Sequence, residues 1–251
     1  MSSGASLDLA VLGGTVVDGS GLPRRRADVG VKDGRIVEVG FVDPDAAADV
    51  IDATDLVVAP GIVDAHTHYD PQLTFDPYAT SSCFHGVTTV LAGNCGFSIA
   101  PTRVDDRPFI TQMFARVEGM SPKALEGLPW DFETFPEYLA AREGRLGVNL
   151  ACYVGHSAVR RFVMGDAAQA REATEDEVAA MVAIVGEAME AGAAGFSSSH
   201  APTHFDSHDR PVPSRLAGDA ELEALVAEAG RHNGGTIAYL PFGSIGGLDE
   251  A

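Results

Sequence analysis

The hydrophobic rhythm of the chain changes once, near residue 58. Through residues 7–58, short β-branched runs alternate with tight-turn signals. LDLAVLGGTVVDGSG gives two such runs around Gly13-Gly14, with Asp18-Gly19 as a turn. ADVGVKDGRIVEVG reads as a hairpin, because alternating apolar residues flank Asp33-Gly34. DVIDATDLVVAPG adds another strand pair. The pattern predicts a small antiparallel β module over residues 1–58, too thin to bury both of its faces alone.

From Val57 onward the order becomes strand, loop, helix. Apolar strand candidates are Val57–Val63, Thr88–Ala92, Gly147–Val154, Ala194–Ser198 and Thr236–Phe242. The clearest helix follows Thr174, an N-cap with Glu177 three residues on, and carries Val178, Met181, Val182, Val185 and Met189 at helical spacing until Gly192. A second starts near Asp219 and stops at the pair Gly234-Gly235. Strands alternating with helices imply parallel β-α units, an α/β fold over residues 59–251. Residues 101–145, with Pro, Trp130 and other aromatics, read as a loop or lid excursion over the strand ends. A complete eight-stranded β/α barrel takes ~250 residues by itself. Five candidate strands, followed by GSIGGLDEA with no covering helix, therefore suggest a TIM-like barrel that is incomplete, and the N-terminal portion of a longer protein.

Charge and cysteine usage narrow the function classes. A net charge of −19 over 251 residues argues against nucleic-acid or anionic-membrane partners, which need clustered Lys and Arg. Three cysteines at irregular spacing, Cys83, Cys95 and Cys152, are no disulfide framework and fit a reducing compartment. The start carries no basic region followed by an apolar one, and no apolar run approaches the ~20 residues of a membrane span. These features predict a soluble, cytoplasmic protein. Open strand edges admit a homo-oligomer.

The chemistry concentrates in VVAPGIVDAHTHYD. Alternate residues of a strand share a face, so His66 and His68 present two imidazoles side by side at a strand's C-terminal end. That pair suits a divalent transition metal, most often zinc. Cys95, in GNCGFSIAP, follows the apolar run TTVLA, and its flanking glycines permit the turn that brings a thiol to the same metal. Asp70 reads equally as a carboxylate orienting a ligand imidazole or as a turn cap. Cys83 and Cys152 lack such a setting and read as structural, and His85 and His232 as surface residues. His156, after the third barrel-type strand, reads either as a substrate contact or as a packing residue. SSSHAPTHFDSHDRPVPSR holds His200, His204 and His208, but its prolines oppose a helix. That stretch is either a loop facing the site, with His200 and Arg215 as substrate contacts and Arg215 as a carboxylate clamp, or a solvated loop.

Over nearly its whole length the chain resembles the amidohydrolase superfamily. LGGTVVDGSG, KDGRIVEVG and VVAPGIVDAHTHYD are shared widely there. HGVTTVLAGNCGFSIAP, VGHSAVRRFVMG and AGAAGFSSS are similar to the narrower group of N-acyl-D-amino-acid deacylases, the D-aminoacylases. The resemblance implies a small β-sandwich beside a β/α barrel, and hydrolysis of the C–N amide bond of small N-acyl amino acids. It also implies a Zn²⁺ site with His66 and His68 on one metal position and Cys95 where many relatives use a carboxylated lysine. Further histidines, and the aspartate that serves as general base, come in the family from later strands. The fifth strand here reads GGTIAYLPFGS, with Leu240 or its neighbours where relatives carry Thr-His, and the later strands with the general-base aspartate are expected beyond this chain. Two rivals stand beside this reading. One is a non-catalytic fragment or degenerate relative, and the other a cyclic amidase of the hydantoinase or dihydropyrimidinase kind, which GNCG disfavours. A metal-storage module gains no support from any motif.

Overall fold

A computed structural model describes residues 6–232 and 234–243, so GSIGGLDEA lies almost wholly outside the described residues. The chain divides into two compact units between Gly61 and Ile62.

The first unit contains seven short strands: β1 (Leu7–Leu12), β2 (Thr15–Val16), β3 (Arg25–Arg26), β4 (Asp28–Lys32), β5 (Arg35–Gly40), β6 (Ala47–Asp52) and β7 (Val57–Val58). They form a four-stranded sheet, β5-β4-β1-β6, and a three-stranded sheet, β3-β2-β7. The β4–β5 hairpin turns at Asp33 and Gly34, both with positive φ, the backbone that Asp-Gly accepts most readily. The module is mixed rather than antiparallel. β6 lies parallel to β1 and β7 parallel to β2. The expected pairing of β6 with β7 is therefore absent, because each returns to a strand from the start of the chain. Ala10, Val16, Val29, Val42 and Ala53 are buried, whereas Ile36, Val37, Val50 and Ile51 stay exposed.

The second unit is built on a five-stranded sheet in the order β12-β11-β10-β9-β8, every neighbouring pair parallel. Its strands are β8 (Ile62–Asp64), β9 (Val87–Ala92), β10 (Asn149–Gly155), β11 (Gly195–Ser199) and β12 (Thr236–Leu240). The run Val57–Val63, expected as one buried strand, is split at Ala59-Pro60-Gly61. Pro60 has no N–H to give a ladder, and the two halves join different sheets as β7 and β8. Val57, Ile62 and Val63 are exposed, since β7 and β8 are each the edge strand of their sheet.

Residues 101–145 are not a lid of loops. They fold into α1 (Arg107–Val117), α2 (Pro122–Glu126) and α3 (Phe135–Arg142). Thr134 and Glu137 close a capping box on α3 that the aromatic-rich sequence obscured. Ile110, Met113 and Phe114 of α1 are buried in the same hydrophobic cluster as Val154 of β10 and Phe196 of β11, so this segment is core.

α4 (His156–Met164) follows β10 directly, and α5 (Glu175–Glu190) and α6 (Asp219–Gly230) complete the covering layer. Thr174 and Glu177 cap α5 reciprocally, and Met181 and Val185 on its inner face are fully buried. Arg160 of α4 and Glu221 of α6 form a buried ion pair. The same carboxylate takes His156 Nε2 at 2.7 Å, and His156 Nδ1 meets the Ser198 hydroxyl at 2.8 Å. Glu221 lies in the first turn of its helix, where a negative charge is favoured. The network thereby pairs every charge it buries.

Truncating the fully buried Phe114 to Ala should lower unfolding stability by about 3–5 kcal/mol, measured by denaturant titration. A loss below about 1 kcal/mol, the size of an ordinary surface substitution, would show α1 to be peripheral to the core.

Candidate metal centre

The C-terminal ends of the five parallel strands share one sheet edge, and the loops after β8 and β9 carry the candidate ligands. β8 stops at Asp64, so His66, at a bend, and His68 stand in the segment just past the strand rather than within it. Between them Thr67 turns the other way. Its N–H and its hydroxyl both donate to the Leu91 carbonyl, each at 3.0 Å. The two imidazoles are thus left on the opposite side with ring centroids 5.4 Å apart.

β9 ends at Ala92 and the chain then reverses sharply. Gly93 has φ +74°, and a Cβ on it would lie 2.1 Å from the Tyr153 carbonyl oxygen. Cys95 itself takes a left-handed φ of 56°, a conformation that costs a non-glycine residue energy. The surroundings hold it there. Asp70 accepts from the Gly93 N–H at 3.0 Å, and the Asn94 amide donates to the carbonyls of Leu91 at 2.7 Å and Thr67 at 3.2 Å. From β11, the Ser197 hydroxyl donates to the Gly93 carbonyl and accepts from the Gly96 N–H at 2.9 Å. The result sets Cys95 Sγ 3.2 Å from His66 Nε2. One ligand atom each from His66, His68 and Cys95 fall within 4.8 Å of one another.

Without a cation the pocket favours neutral groups. Burial pulls the His68 imidazole down to about 4, assisted by His66 and His204. Burial pushes the Cys95 thiol up to about 12, with Glu118 adding to the rise. Burial also lifts Glu118 to about 7, with a contribution from Asp70. Asp70 rises to about 7 for the same reason, opposed by its hydrogen bond from Gly93. A divalent cation would reverse this balance by favouring thiolate and carboxylate. His68 Nδ1 is buried with no hydrogen-bond partner. Two imidazoles, one of them with an orphaned ring nitrogen, and a thiol form a donor set that fits zinc.

The remaining sequence candidates separate. Asp70 touches neither imidazole; it braces the turn that carries Cys95. His156 is fully buried and both its ring nitrogens are engaged, so it packs rather than facing solvent. His200, just past β11, sits near the strand-end edge with Nδ1 3.0 Å from the Tyr239 hydroxyl. Arg215 lies over the Phe205 ring at 4.7 Å and donates to the His204 carbonyl at 3.1 Å. His204 packs on Phe97 and Phe97 on His68, at 5.1 and 6.4 Å between centroids. Cys152 is buried within β10, its thiol 3.8 Å from Asp70. A cavity of about 640 Å³ opens elsewhere, against α1 and α2 between Arg107, Arg116, Leu125 and Trp130, and none of the three clustered ligands lines it.

Two residues of the site escaped sequence reasoning. Glu118, just past α1, approaches His68 Nε2 at 3.3 Å; nothing in VEGM marks it. Ser197 did leave a signal, because three consecutive serines in a strand that is buried throughout must each find a partner.

Residues 49–247 match the profile of the amidohydrolase family. The chain is 42% identical over 200 residues to a D-aminoacylase of Alcaligenes xylosoxydans xylosoxydans, covering 78% of this chain and 38% of that protein. An N-acyl-D-aspartate deacylase of the same organism is 39% identical over 197 residues, covering 77% and 37%. Among solved structures, the N-acyl-D-glutamate deacylase of Bordetella bronchiseptica, complexed with zinc and a phosphonate inhibitor, aligns with a TM-score of 0.74 at 35% identity, over 90% of this chain and 43% of that one. The chain spans about two fifths of the length of these curated relatives.

A thiol raised to about 12 keeps its proton at pH 8, leaving roughly one molecule in ten thousand as the reactive thiolate. Alkylation of metal-free protein at pH 8, followed by mass spectrometry, should label the partly exposed Cys83 at least ~100-fold faster than Cys95. Equal rates would mean that the turn does not bury Cys95.

Proposed function

The chain belongs to the amidohydrolase family, and from that premise we propose a zinc-dependent hydrolase that cleaves the C–N amide bond of N-acyl-D-amino-acid-like substrates. The observation that carries the reading is the convergence of His66, His68 and Cys95 at the C-terminal edge of a parallel sheet. On the same reading the five-stranded sheet is part of a β/α barrel that starts near residue 59, and the two small sheets before it belong to a β-sandwich. The names of the similar proteins, an aminoacylase and two deacylases acting on D-amino-acid derivatives, support the substrate class.

His66 and His68 would hold the zinc ion through neutral imidazole nitrogens, and Cys95 through its thiolate. When bound, the ion supplies Lewis acidity at the acyl carbonyl and acidifies water. The chain's own residues supply position. Thr67 fixes the outward face of both imidazoles, and Asp70 and Ser197 keep the Cys95 turn closed. Phe97 covers one side of His68 and restricts water there. We assign His200 and Arg215 to the substrate's carboxylate side. Among the described residues Arg215 has no acidic partner, and it connects through His204 and Phe97 to His68.

A second reading, metal binding without turnover, draws support from the ligand set itself. Among the described residues it holds three clustered donors. One assay separates the two. Incubated with N-acetyl-D- and N-acetyl-L-amino acids, the protein should release the D-amino acid. A chelator should abolish that release and added zinc should restore it. One equivalent of zinc with no release would favour the second reading.

Zinc affinity should also rise with pH. His68, at about 4, has no proton to lose above pH 6, whereas Cys95, at about 12, must lose one when it ligates. Between pH 7.5 and 9 the apparent binding constant should therefore climb about tenfold per pH unit. Competition against a chelator of known affinity measures this, and a flat profile would remove Cys95 from the ligand set.

A further inference from the structure

We propose that the cavity against α1 and α2 is a binding site for a small organic carboxylate with an apolar body, anchored by Arg107 and Trp130. The site is independent of the zinc reading, since none of His66, His68 and Cys95 lines it.

Its walls come from several parts of the second unit. α1 contributes Arg107, Ala115 and Arg116, and α2 contributes Pro122 and Leu125. Ser207, from the loop after β11, also lines it, its hydroxyl donating to the Gln112 side chain at 3.1 Å. Buried Ile110, Met113 and Phe114 anchor α1 in the core, so that wall is fixed. The volume of about 640 Å³ lies within the ~300–1,000 Å³ of small-molecule pockets.

Arg107 sets the charge of the ligand. Acidic residues outnumber basic ones in this chain by 36 to 17, so carboxylate partners are plentiful. Arg142, Arg160 and Arg161 each hold one. Arg107 holds none among the described residues, and its Nε is buried without a hydrogen-bond partner. Its guanidinium carbon instead lies 5.3 Å from the Trp130 ring centroid, a cation–π contact. Stacking engages the face of the guanidinium and leaves its edge for a planar, two-pronged partner, which is the geometry of a carboxylate. Arg116 adds a second positive charge. Its ion pair to Asp209, at 3.2 Å, joins two exposed side chains and holds it weakly. Glu126 is the one acidic side chain among the described residues of the lining, and it stands exposed. Ala115, Pro122, Leu125 and the Trp130 ring supply apolar surface for a hydrocarbon body to cover. A bare inorganic anion would leave that surface wet, and a cation would meet two guanidinium groups.

Trp130 is the single tryptophan of the chain, so its fluorescence reports on this cavity. The intact chain is titrated, once with zinc and once with chelator, with four probes: phenylacetate, its neutral amide phenylacetamide, the cation phenethylamine, and acetate, which lacks the apolar body. Phenylacetate should change the emission saturably in both conditions, and the other three should bind about tenfold more weakly or worse. Arg107→Met keeps an unbranched side chain without the charged fork, and should weaken phenylacetate binding by about tenfold or more. Ala115→Phe keeps both arginines and fills the cavity, and should abolish the response. Circular dichroism checks the fold of both variants; should Arg107→Met fail to fold, Ala115→Phe decides alone. No saturable response to phenylacetate overturns the inference. Equal binding of the amide, tighter binding of the amine, or undiminished affinity in either variant also overturns it. So does a response that chelator removes, which would place the ligand at the metal centre. The zinc reading is judged separately, by zinc binding and amino-acid release.

Discussion

Gly93 admits no side chain, because the Tyr153 carbonyl oxygen of the neighbouring strand occupies the space where a Cβ would stand. That close approach restricts position 93 to glycine, whose left-handed φ begins the reversal at the end of β9, and the candidate centre depends on the reversal. A chain that continued straight would carry Cys95 away along the sheet edge. Instead two left-handed residues, Gly93 and Cys95, fold the thiol back across β8 toward the imidazoles. The turn is unfavourable in isolation, and its cost is offset by bonds from three directions: Asp70 after β8, Asn94 within the turn, and Ser197 on β11. The thiol's position is thus a property of the sheet rather than of the loop that carries it.

The same logic explains why polar groups sit so deep in the second unit. Ser197, Ser198 and Ser199 are fully buried in a strand, and each finds a partner: the Cys95 turn, His156 and His204. His156, Arg160 and Glu221 lock α4 to α6 behind the sheet. The covering helices are therefore fixed by directional bonds as well as by apolar packing, which limits how far the strand-end loops can shift.

Much of this was legible in the sequence. Thr174 and Glu177 announced α5, Asp33-Gly34 announced the β4–β5 hairpin, and alternation after β8 put His66 and His68 on one face. All of these are local signals. What escaped notice depends on partners remote in sequence. The parallel returns of β6 to β1 and β7 to β2 cannot be read from either strand alone. The run from Val57 to Val63 looked continuous because hydrophobicity conceals the break that Pro60 imposes. Residues 101–145 looked like a lid because Pro, Gly and aromatic residues masked three short helices whose apolar sides join the core. Sequence leaves Asp70 open between orienting an imidazole and capping a turn, because its partner, the Gly93 N–H, lies 23 residues on.

The division between near and distant contacts has a consequence for how the centre assembles. His66 and Cys95 are 29 residues apart in the chain, whereas Ser197 reaches the Cys95 turn across 101. Closing a short loop takes less entropy than closing a long one, and non-local pairings form slowly. The ligand trio is therefore a neighbourhood that a nascent chain can sample early. The bonds of Ser197 join those of Asp70 and Asn94 only when β11 docks, so full order at the centre reports on the completion of a sheet that contributes no ligand from that strand.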